Sequence, residues 1–158
     1  KVSKFFILTI QADVRKSTHK CIGTFVKLTK KLEFVLLQIV KMGLENQNSR
    51  TRQHSMLVIP ALLSLKPAIM GFQTEEMKQL LGAVVRRIQS DPSDIVSKTG
   101  KKLVLELQKC YQDTFRTNYV NSMENGPRRS VCEAIIEGRE NDLKALLNRR
   151  GDAPAGNN

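Results

Sequence analysis

The chain has 158 residues, 41% of them hydrophobic, and a formal net charge of +11. That size and apolar content can bury a core, and the charge favours acidic or polyanionic partners. No apolar run reaches the roughly 18 residues a membrane span needs, because Lys41, Lys66 and Lys78 interrupt the best stretches. The charge is uneven: residues 1–60 hold eleven Lys and Arg against three Asp and Glu, while residues 61–125 hold nine against seven. The apolar stretch from Phe5 to Ile10 is followed by no small-residue cleavage site, so no secretory signal is expected. Three scattered cysteines, Cys21, Cys110 and Cys132, do not make a disulfide framework, and the cytoplasm is the expected compartment.

In chain order, residues 4–10 read as the tail of a first helix, with a short strand as the alternative because the run is β-branched and aromatic. The chain opens on Lys1 rather than Met and this leading helix is short, so the sequence is expected to begin inside a larger repeat domain. A polar turn at residues 11–15 leads into Ile22, Phe25, Val26 and Leu28, spaced as on one helix face. Leu32, Val35, Leu36, Ile39 and Val40 form the next stripe, a second polar turn covers residues 46–52, and Met56, Leu57, Ile59, Leu62 and Leu63 follow. Pro60 removes a backbone donor inside that helix, and Pro67 with Gly71 marks a connection. Met77, Leu80, Leu81, Val84, Val85 and Ile88 lead to a third turn at residues 91–96 and then to Leu103, Val104, Leu107 and Cys110. A short helix over residues 118–123, a turn at residues 125–129, a stripe of Val131, Ala134, Ile135 and Ile136, and a charged helix over residues 142–149 complete the pattern.

The turns recur with a period. Val14-Arg15, Thr51-Arg52 and Val96-Ser97 stand 37 and then 45 residues apart, near the HEAT and armadillo period of about 40–47. The expectation is an all-α fold, an α-solenoid of about four antiparallel helix pairs over residues 1–150, with residues 151–158 a disordered tail. Asp13, Ser49 and either Ser93 or Asp94 suit the N-caps of the second helices. The arginines beside them do not, since a cation at a helix N-terminus meets the positive end of the macrodipole. Arg15, Arg50 and Arg52 therefore need other partners. Arg15 and Arg52 are expected to meet aspartates of neighbouring repeats, and Arg50 to face outward.

Catalysis finds no support in the residue pattern. His19 and His54 have no Cys or carboxylate at metal-binding spacing, Gly100-Lys101-Lys102 lacks the upstream glycine of a phosphate loop, and adjacent Glu75 and Glu76 point to different sides of a helix. No enzyme activity, metal or cofactor is expected.

The run over residues 40–63, with Gly43-Leu44, a polar turn and Arg50-Thr51-Arg52, resembles the second repeat of TOG domains, particularly those of the crescerin and CLASP groups. Residues 91–115 and 119–123 resemble later repeats, and the likeness extends over residues 1–138. It implies a paddle-shaped array whose intra-pair loops bind the tubulin heterodimer in microtubule assembly, at the cytoskeleton and, for crescerins, in the cilium; a centrosomal setting fits equally. The matching loop-edge positions are Asp13, Val14 and Arg15, then Asn48, Ser49, Arg50 and Arg52, then Ser93, Asp94 and Lys98, and finally Arg128 and Arg129. The chain departs from the pattern in having no tryptophan, the apolar anchor of many tubulin-binding members, and in being shorter than six repeats. Two other classes compete. One is a general HEAT or armadillo scaffold gripping a peptide along its second helices. The other is a nucleic-acid binder, for which aromatic interleaving is missing because Phe25 and Phe34 fall at apolar core positions.

Overall fold

The structure is a computed structural model that describes residue 17 and residues 20–25, 32–63 and 74–148. Every regular element among them is helical, with no strand. Helix α1 (Leu32–Gln38) runs directly into a π-helical segment, π1 (Ile39–Leu44). Then come α2 (Ser49–Leu63), α3 (Thr74–Ser90), α4 (Asp94–Tyr111), a second π-helical segment π2 (Phe115–Val120), α5 (Pro127–Ile136) and α6 (Glu140–Asn148). Residues 20–25 are helical as well. The possible strand at residues 4–10, the turn at residues 11–15, the connection at Pro67 and Gly71, and the tail lie outside the described residues.

The helices form where apolar residues recur at helical spacing, and the stripes define one core. Met77, Leu80, Leu81, Val84, Val85 and Ile88 make the buried face of α3, while Val96, Leu103, Val104 and Leu107 make that of α4. Burying each such side chain stabilises the fold by roughly 1.5–3 kcal/mol. α3 also follows the macrodipole, with Glu75 and Glu76 in its first turn and Arg87 in its last.

Packing repeats with the helices taken two at a time. π1 packs on α2 and α3 on α4, each pair joined by a short turn, so the partners run antiparallel; across pairs, α1 lies on α3, α2 on α4, and α4 on α5. Two glycines permit the closest approaches. A Cβ on Gly43 would stand 2.1 Å from Ser55 Oγ on α2, and one on Gly100 would stand 2.7 Å from Ile88 Cγ1 on α3.

Five local expectations change, the first at Leu57, which falls between the buried positions of α2 and is 51% exposed instead of facing the core with Met56 and Ile59. Ser49 is the first residue of α2, and the cap is Asn48, whose Oδ1 accepts the Arg50 amide at 2.9 Å and the Thr51 amide at 3.4 Å. Phe34 is 55% exposed and not a core residue, because it falls between the buried positions of its helix. Cys110 is exposed one residue before α4 ends, whereas Cys132 is buried, which pushes its thiol up to about 12. The chain also breaks at Gln112, which takes φ 49°, before entering π2.

Candidate protein-binding edge at the helix-pair turns

Three turns matter: residues 45–48 before α2, residues 91–93 before α4, and residues 121–126 before α5. Side chains set them next to one another. Arg52 spans the first two: its Nε donates to Asp91 Oδ2 at 2.5 Å and its Nη2 to Asp91 Oδ1 at 2.7 Å, while Nη1 donates to the carbonyls of Asn46 and Gln47, both at 2.7 Å. The Arg52 side chain is 5% exposed and that of Asp91 is fully buried. Gln89 Nε2 reaches the Pro127 carbonyl at 3.4 Å, tying the second turn to the third.

These contacts follow from which backbone groups a helix leaves unpaired. The last carbonyl of π1 and those of the turn after it lack intrahelical donors, and two guanidiniums supply them. Arg52 takes Asn46 and Gln47, and Arg87 Nε donates to Leu44 O at 2.6 Å. A cation at a helix C-terminal end is favoured by the macrodipole, which suits Arg87 on Leu44, while Arg52 offsets the unfavourable end of its own helix with the turn carbonyls beyond π1 and the Asp91 carboxylate. Pro92 has no amide to offer the Ile88 carbonyl four residues back, and Ser97 Oγ donates to that carbonyl at 2.9 Å instead. Asp91 closes the arrangement by accepting the Ser93 amide at 3.0 Å, while Arg87 stands 4.0 Å away. Burial by itself would raise the Asp91 pKa, but hydrogen bonds from Arg52 and Ser93 and the charges of Arg52 and Arg87 outweigh it and hold the carboxyl below its ordinary value.

The expected edge residues divide into two sets. Arg52 points inward and spends its donors on the fold, so it is a staple between turns and is closed to a partner. Arg129 is similarly engaged, with Nε on Glu133 at 2.9 Å, Nη1 on Asn125 at 2.8 Å and Nη2 on Asn121 at 3.0 Å. Asn48 and Ser93 serve their turns, Ser49 is half-buried, and Arg50, Asp94, Lys98 and Arg128 are exposed. Arg50, Lys98 and Arg128 make no ion pair among the described residues. Asp13, Val14 and Arg15 lie outside those residues.

The outer edge is mixed in sign. Its free cations alternate with exposed Asp94 and Glu124, and Arg86 pairs with Glu45 at 3.6 Å. Of the eleven basic residues in positions 1–60, only Lys20, Lys41, Arg50 and Arg52 are described. Asp91, Arg86, Arg87 and Glu45 were absent from the expected edge; an Asp-Pro pair directly after a long apolar stripe was the available signal for the first. Among the described residues no group of three or more His, Cys, Asp or Glu could hold a metal ion, and no helix is long and apolar enough to cross a membrane. Comparison of the chain with protein-family models, curated proteins and solved structures finds no match.

Proposed function

We propose that this chain is a non-catalytic stack of HEAT-like helix pairs that docks an acidic protein surface along its turn edge, and that the partner is the tubulin heterodimer. The observation that carries the reading is the buried Arg52–Asp91 bridge, which sets successive turns side by side and leaves Arg50, Lys98 and Arg128 outside. The tubulin assignment draws on the likeness of residues 40–63 to TOG domains. It would place the protein in the cytoplasm at the cytoskeleton or cilium, acting on microtubule assembly. A sparse set of exposed cations chiefly speeds encounter, and its effect fades as salt screens it over about 8–10 Å.

The test is gel filtration with purified tubulin at low and moderate salt. Co-elution of the wild type that is weakened by salt and lost in the Arg50→Glu/Lys98→Glu/Arg128→Glu variant supports the edge, given an unchanged circular dichroism melt. A triple variant that co-elutes like the wild type overturns it. A wild type that never co-elutes removes tubulin as the partner.

A further inference from the structure

A second surface lies along the outward faces of α2 and α4. Among the described residues four large hydrophobic side chains are exposed, and three belong to these two helices: Leu57 at 51%, Ile95 at 53% and Leu105 at 41%. The helices pack on one another and both start at the turn edge, where Arg52 of α2 grips Asp91 just before α4. They therefore run parallel, with Leu57 and Lys102 at similar depth from the turns. On α4 the exposed stripe reads Ile95, Lys98, Lys102, Leu105 and Lys109, a helical spacing in which aliphatic tips alternate with ammonium groups. α2 contains no acidic residue, and the acids of α4 are Asp94 at its start and Glu106 at the flank of the stripe.

We infer that this face binds an acidic helical segment of a partner protein, one that carries leucine-like residues on one side and carboxylates beside them. Charge complementarity selects the occupant. Lys98, Lys102 and Lys109 flank the apolar tips, so an incoming helix that buries its own apolar stripe there brings its carboxylates within reach of ammonium groups. Ile95 and Leu105 are about 15 Å apart along α4 at 1.5 Å per residue, and Leu57 lies across a helix spacing of about 8–10 Å. That triangle suits side chains at i, i+4, i+7 and i+11 of a helix lying along the trough between α2 and α4. An anionic bilayer is the poorer fit, because the apolar groups are isolated tips among lysines and not the continuous apolar face that enters a membrane interface. Single-stranded nucleic acid is poorer still, since the stripe has no aromatic ring on which a base could stack.

The test measures fluorescence anisotropy with a labelled helical peptide of leucine and glutamate as long as α4, and with its glutamine counterpart. The glutamate peptide is expected to bind at least about tenfold more tightly than the glutamine one, as a charge-selected site requires. Lys102→Glu/Lys109→Glu should abolish that preference, Leu57→Ser/Leu105→Ser should weaken binding of both peptides, and Glu106→Lys should strengthen binding of the acidic one. All of these positions are exposed, so circular dichroism is expected to stay unchanged. Arg128→Glu, which alters the turn edge on α5 and neither α2 nor α4, should leave peptide binding within twofold, roughly the scatter of distant surface changes. Equal binding of the two peptides, or an unaffected lysine double variant, overturns the inference. So does uptake by vesicles of phosphatidylcholine and phosphatidylserine in equal parts without peptide binding. Lys98 belongs to both surfaces, so their separation rests on Arg128→Glu, which alters only the turn edge, and Lys102→Glu/Lys109→Glu, which alters only this face; tested with these, either surface can fail while the other stands.

Discussion

Two arginine–carboxylate clusters hold corners of this molecule, and their surroundings set them apart. At the first, Arg52 and Asp91 are buried, joined by two parallel hydrogen bonds, and linked to backbone carbonyls of the preceding turn. At the second, Arg116 pairs with Glu137, which also accepts from Arg139 at 2.7 Å, and Arg139 reaches Asp142 at 2.5 Å. All four of those residues are exposed. The chemistry is shared, but desolvation makes the first cluster a condition of the fold, whereas water can replace each bond of the second. Location in the stack matters as much: the first cluster joins turns 39 residues apart in sequence, while the second fastens the end of the described helices.

The sharpest break in that comparison is Arg52→Ala. It leaves Asp91 as a buried charge and strips donors from two turn carbonyls, and it is expected to cost about 3–5 kcal/mol. Urea titration followed by circular dichroism measures it. Asp91→Ala should cost a similar amount, and Arg52→Met/Asp91→Leu should recover part of the loss, because removing both charges removes the unpaired one. Single variants as stable as the wild type would show that the first corner is no more essential than the second.

The apolar stripes made the helices legible, since burial of one face demands that spacing whatever else the residues do. The place of Arg52 was half legible. Its poor position at a helix N-terminus pointed to another partner, and a neighbouring aspartate was the natural one, but the resemblance to TOG domains also counted it among the partner-facing loop residues. Only packing shows that its guanidinium is buried with four of its five donors already engaged. Asn48 and Ser49 are adjacent capping types, so the pattern could not separate them and the cap came out one residue late. Phe34 sits off the stripe formed by Val35, Leu36 and Ile39, a warning that its apolar character overrode. The π-helical segments and the break at Gln112 have no periodic signature at all. The face that joins the lysines of α4 to Leu57 of α2 has no signature in the sequence, because alternating charge on a helix ordinarily marks a solvated side; only exposure shows that aliphatic residues share it.

Acid sharpens the comparison with a smaller effect. Against burial, the folded pKa of Asp91 is held below its ordinary value by Arg52, Ser93 and Arg87, so its ionised pair contributes fully above the unfolded value and is lost as pH falls through the folded one. The stability difference between wild type and Asp91→Asn should therefore be constant above about pH 5 and shrink below about pH 4. Urea midpoints measured across that range decide it. A difference that instead grows with acid would mean that the carboxylate is not what Arg52 stabilises.

The smallest effect belongs to the exposed corner. The Glu137 carboxyl is also held below its ordinary value, first by the hydrogen bond from Arg139 and then, against some desolvation, by Arg116. A lowered pKa alone would suggest a second staple. Exposure argues otherwise, because solvent and salt screen these charges and hydrate whatever a substitution frees. Glu137→Gln is thus expected to shift the melting temperature less than any change at Arg52 or Asp91, with the remaining shift vanishing in high salt. A loss comparable to that of Arg52→Ala, persisting in salt, would mean that the Arg116–Glu137 link carries the attachment of α6 to the stack, and that burial is not what separates the two corners.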